Sequence, residues 1–141
     1  MGKGPVPRPR RGDQTVHSRA FAQLSSKLAE ALNQQHKYDQ MRPLYAEAVR
    51  IYKVHKNEAP ADYVGALNQL GQFDLDQNRM DVARNELKEA LDEAKKLTGK
   101  NKEILVLCMR SYESLLRQTA CAAEADKLSA EAAAIEKTLK D

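Results

Sequence analysis

A chain of 141 residues with no tryptophan and 5% aromatic residues has room for one domain with a real core. The net charge of +3 is uneven: Lys3, Arg8, Arg10 and Arg11 stand in the first twelve residues without an acid, so the body beyond them is near neutral. No apolar run approaches the ~18 residues of a membrane span, and two cysteines, Cys108 and Cys121, make no disulfide framework and point to a reducing compartment.

Residues 1–14 read as a basic arm. Pro5, Pro7 and Pro9, with Gly2, Gly4 and Gly12, oppose helix and favour extended backbone. The prolines also make it a poor amphipathic mitochondrial presequence. No apolar secretory core is present, and Val6 stands where an N-myristoylation signal needs Ser or Thr. The expected location is intracellular, cytoplasmic rather than the mitochondrial matrix. Residues 15–141 read as all-α, because strong helix formers dominate and β-branched residues are few.

Asp13 or Thr15 is placed to cap a first helix over about 16–35, where Phe21, Leu24, Leu28, Ala31 and Leu32 recur at helical spacing. A second stripe runs through Met41, Leu44, Tyr45, Ala48, Ile51 and Tyr52, with Pro43 expected near the first turn. Pro60 marks a break, Leu67, Leu70 and Phe73 carry a third helix, and 76–78 turns the chain. The fourth helix spans 80–97, with Asp92 and Lys96 spaced as an ion pair. Gly99 suits a helix C-terminus and Asn101 an N-cap for the fifth helix, 102–118. The sixth covers about 122–139.

Equal pairs of helices call for a search for repeats. Residues 38–51, 80–93 and 122–135 align without gaps at a step of 42. The step carries Met41 to Ala83 to Ala125, and Ala48 to Ala90 to Ala132. The preceding helices follow it too, through Leu28, Leu70 and Tyr112. Small residues at these positions let helices approach closely, and leucine at 83 or 90 would overpack by about 1–3 kcal/mol. Three positions break the pattern: Met41 is bulkier than the small residue expected there, and Asp74 stands where an apolar residue is expected, so Phe73 and Leu75 are expected to shift and pack instead. Ser129 replaces the large residue supplied by Tyr45 and Leu87, leaving the third pair with less apolar volume.

"ALNQLGQ" (66–72) followed by "NRMDVARNELKEAL" (78–91) resembles the tetratricopeptide repeat, and "PLYAEAVRIY" (43–52) with the 42-residue period is similar to the longer form in kinesin light chains. The resemblance covers about 18–139 and implies a right-handed α-solenoid of three antiparallel helix pairs. In that family the first helix of each pair lines a concave groove. The implied lining is Gln23, Ser26, Glu30 and Asn33, then Gly65, Asn68, Gln72 and Leu75, then Leu107, Arg110, Ser114 and Arg117. Asn68 matches the family's groove asparagine. Amides would bond a peptide backbone, while Arg110 and Arg117 would grip a carboxylate. The form that clamps chaperone tails is not supported, since Ser26 and Leu107 replace basic residues.

No chemistry stands out. His17, His36 and His55 have no ligand spacing with each other or with a cysteine. Around Lys100, Ala94 and Asn101 depart from a phosphate-binding loop. The expectation is a protein without catalysis, cofactor or metal that binds other proteins. It acts as an adaptor holding a peptide or subunit in the groove. Alternatively it is an accessory subunit of a multiprotein or ribonucleoprotein assembly, locked in through the arm residues (Lys3, Arg8, Arg10, Arg11) and the alanine-rich last helix. The arm also leaves nucleic acid open as a partner.

Overall fold

The computed structural model describes the backbone of residues 11–97 and 101–140, and the side chains of 20–25, 27–97 and 101–140. Six helices follow in order: α1 (Arg11–Gln34), α2 (Tyr38–Val54), α3 (Pro60–Asp76), α4 (Met80–Lys96), α5 (Lys102–Gln118) and α6 (Ala122–Leu139). The described chain is all-α, without a strand. α1 starts earlier than expected, so residues 11–14, assigned above to the arm, are helical. The proline run ends at Pro9, and neither Gly12 nor the cap candidates Asp13 and Thr15 delay the helix beyond it. Gly99 lies outside the described residues.

The 42-residue step is written into the backbone. α2, α4 and α6 begin at Tyr38, Met80 and Ala122, and α3 and α5 begin at Pro60 and Lys102. His36, Asn78 and Ala120 hold positive φ angles of 58°, 61° and 60°. At each, the next amide reaches back five residues: Lys37 to Leu32 at 3.0 Å, Arg79 to Asp74 at 2.9 Å and Cys121 to Leu116 at 2.9 Å. This Schellman closure satisfies orphan carbonyls and lets the chain reverse within a short turn. α1–α2, α3–α4 and α5–α6 are therefore tight helical hairpins. Each helix packs on its chain neighbours, and α3 also meets α5.

The six repeat positions are all interior. Met41, Ala48, Ala83, Ala90, Ala125 and Ala132 are each no more than 2% exposed. Gly71 lets α3 and α4 pack tightly: an added Cβ would stand 2.6 Å from Leu87 Cδ2. Leu87 is itself fully buried and clusters with Leu75, Ala83 and Leu115.

Several local expectations are corrected. Asp74 causes no shift: it is fully buried beside Phe73 and Leu75, which are buried too. Arg42 of α2 grips it with two bonds, Nε to Oδ1 at 2.8 Å and NH2 to Oδ2 at 3.1 Å, and Arg79 adds a contact at 3.5 Å. A buried carboxylate is tolerable when it is paired in this way. Ser129 is likewise used, its hydroxyl accepting from Arg110 at 3.1 Å. Pro43 sits in the second turn of α2 rather than the first, where its missing N–H removes the bond to the Asp39 carbonyl. Asn101 stands at the start of α5, but its side chain makes no capping bond. Lys96 pairs with Glu93, one turn back at 3.1 Å, rather than with Asp92.

Candidate binding face

α1, α3 and α5, the first helices of the three hairpins, share one concave face. Its larger hollow, of 580 Å³, is lined by Gln23, Lys27 and Glu30 of α1, by Tyr52, by Ala61, Asp62, Gly65, Ala66 and Gln69 of α3, and by Ile104 and Leu107 of α5. A second hollow of 280 Å³ is lined by Asn33, Met41, Tyr45, Asn68, Gln69, Gln72, Phe73, Asp76 and Leu107. Gln69 and Leu107 belong to both, so the two adjoin. Leu107 is half exposed, an aliphatic side chain presented to the hollow rather than tucked beneath it.

The sequence-derived lining divides by repeat. Gln23, Glu30, Asn33, Gly65, Asn68, Gln72 and Leu107 reach these hollows. The side chain of Ser26 lies outside the described residues, as do those of Lys3, Arg8, Arg10 and Arg11. Leu75 is a correction: it is 2% exposed and belongs to the core with Leu87 and Leu115. Arg110, Ser114 and Arg117 line neither hollow. Arg110 donates to Glu113 and Glu136 at 3.0 Å each, and Arg117 to Glu113 at 2.9 Å and Asp126 at 3.1 Å. Against the desolvation of its site, the two guanidiniums hold the Glu113 carboxyl below its ordinary range. The expected basic end is therefore folded back onto α6 and neutralised.

The character of the face follows. Its polar lining is mainly amide, and its charged lining is Glu30, Asp62 and Asp76 against Lys27. Burial pushes the Asp76 carboxyl upward, and burial followed by the nearby Glu30 charge raises the Tyr45 phenol. Asn68 is distinctive. It is 3% exposed, and its Oδ1 has no hydrogen-bond partner among the described residues. A buried acceptor left unpaired costs about 1–3 kcal/mol.

Sequence reasoning missed Lys27, Asp62, Gln69, Asp76 and Ile104. Lys27 and Gln69 were within reach of it, because they lie four residues after Gln23 and Gly65 and so share their helix face. Elsewhere the chemistry is quiet. Cys108 is fully buried and its thiol is pushed up to about 12 by that burial. Among the described residues no group of three potential metal ligands comes together, and no helix is long and apolar enough to cross a membrane. No protein-family model matches the sequence, and no curated protein matches it.

Proposed function

We propose that this chain is a non-catalytic protein-interaction module of tetratricopeptide type, its three hairpins stacked as a right-handed solenoid. It holds a segment of a protein partner against the face formed by α1, α3 and α5. The observation that carries this reading is Asn68, which lines the smaller hollow and whose buried Oδ1 has no hydrogen-bond partner among the described residues. Turning of this side chain toward the hollow would let its oxygen accept a peptide N–H and relieve its desolvation cost. Gln69 and Gln72 add further amides beside it. The recurrence of the three left-handed turns supports the repeat assignment. The acid excess favours a segment bearing a basic residue, the reverse of the carboxylate expected from the sequence.

The alternative reading, an accessory subunit locked in through the arm and the last helix, stands beside the groove reading; Arg110 and Arg117 pair with Glu136 and Asp126 across that helix. The test begins with the full chain as bait and partner identification by mass spectrometry. Binding of the purified partner is then titrated against variants. Asn68→Ala should weaken it about 10-fold or more, whereas Arg110→Glu with Arg117→Glu should leave it within about twofold. Undiminished binding by Asn68→Ala and Leu107→Arg would overturn the groove assignment. Loss on deleting residues 1–10 alone would transfer it to the arm.

A further inference from the structure

The first and last described helices, α1 and α6, are finished differently. On α1, Phe21, Leu24 and Leu28 are 53%, 65% and 52% exposed, while Ala22, Ser25, Ala29 and Leu32 turn inward. The 42-residue step carries the exposed stripe to Tyr63, Ala66 and Leu70 of α3, and to Leu105, Cys108 and Tyr112 of α5. There the same positions are covered: the α3 trio is 2–6% exposed and Cys108 is fully buried. The second helix of the preceding hairpin packs on each, α2 on α3 and α4 on α5; Tyr63 and Ala66 cluster with Val49 and Tyr52 of α2, while the Tyr63 phenol also reaches Glu89 of α4 at 3.0 Å. Tyr45 packs on Phe73 with ring centroids 5.6 Å apart, and Leu87 joins Leu115.

α6 is the only helix of that second type with no helix after it among the described residues, and its junction face does not match. Where α4 presents Leu87, Leu91 and Ala94, α6 presents Ser129, Ala133 and Glu136. Arg110 binds both Ser129 and Glu136, and Arg117 binds Asp126 on the same side. The C-terminal end is sealed with charge, so a head-to-tail contact of α6 on α1 of a second copy would have to break those pairs.

We propose that the outer face of α1 continues the α2–α3 and α4–α5 junctions and receives an amphipathic helix from a partner protein, apolar at positions i, i+4 and i+7. The chemistry of that helix is the one α2 and α4 display, Tyr45/Val49/Tyr52 and Leu87/Leu91/Ala94: a large residue, an aliphatic, then an aromatic or small one. This stripe is separate from the concave face and does not depend on how that face is used.

The test uses the intact chain with helix-stapled peptides of residues 37–55 and 79–97 as probes, and of 121–139 as the control. The first two should bind saturably to a single site and the third at least tenfold more weakly. Leu24→Glu with Leu28→Glu should weaken binding tenfold or more, with an unchanged helical circular-dichroism spectrum, because both side chains face solvent. Asn68→Ala should leave it unchanged, which separates this site from the concave face. Absence of saturable binding, indifference to the α1 substitutions, or equal binding of the control peptide would overturn the proposal. So would concentration-dependent dimerisation abolished by Leu24→Glu, which would make the occupant a second copy.

Discussion

Residue 120 shows how much a single backbone angle costs. Ala120 holds a φ of 60° at the turn between α5 and α6, a conformation in which Cβ crowds the following carbonyl. Its counterparts by the repeat step are His36 and Asn78, and asparagine tolerates this region better than alanine. Glycine is the usual residue at this position of a Schellman turn. Ala120→Gly should therefore stabilise the protein by about 1 kcal/mol, the relieved strain exceeding the entropy that glycine adds to the unfolded chain. Thermal unfolding should show a rise of about 3 °C. Asn78→Gly, starting from a more tolerant residue, should move the midpoint less. A lowered midpoint for Ala120→Gly would mean that the alanine methyl packs usefully despite its angle.

Between elements, the α2–α3–α4 junction combines apolar packing with a buried charge cluster. Arg42 bridges Asp74 and Glu86, with Arg79 at the edge. Burial, followed by the Asp74 carboxylate, pushes Glu86 up to about 8 despite the opposing Arg42 charge. The folded protein thus retains a proton that an unfolded chain sheds near pH 4.5. Stability from this group is full below that pH, declines as pH climbs toward about 8, and is flat above. Glu86→Gln should flatten the slope in urea titrations between pH 5 and 8; an unchanged slope would show that Glu86 is ionised throughout. Little of this junction was legible from local pattern. Asp74 looked like a misfit because Arg42 lies 32 residues away, and only the fold joins them. The alanine register was legible, since burial at 83 and 90 repeats with the helix period. Of the left-handed turns only the one at Asn78 was legible, as part of the 76–78 turn, because His36 and Ala120 carry neither a glycine nor an asparagine signal. Arg110 and Arg117 were misread for a different reason. Their helix neighbour Glu113 was at the correct spacing to claim them, but the groove register was applied first.

At the scale of the whole molecule, backbones approach closely between chain neighbours and between α3 and α5, and the Arg42–Glu86 pair adds a side-chain link from α2 to α4 among the described helices. Stability in such an arrangement is close to a sum over units and their interfaces, so the ends should open before the middle. α3 has helices on both sides and buries ten residues, whereas α6 buries Ala125, Leu128 and Ala132. Three buried small or medium side chains, with half-buried Ile135 packed against the same core, hold α6 by hydrophobic burial, and the Arg110 and Arg117 pairs supplement them. Exposed pairs of this kind contribute little individually, but against so small an apolar contact their share is large. Native-state amide exchange should therefore find the weakest protection in α6 and the strongest in α3. Arg110→Ala removes the bonds to Ser129, Glu136 and Glu113 together. It should raise exchange in α6 severalfold while leaving α2 and α3 unchanged. Uniform acceleration across all six helices would instead mean that the chain opens as one cooperative unit, and that the charge seal stabilises the entire stack.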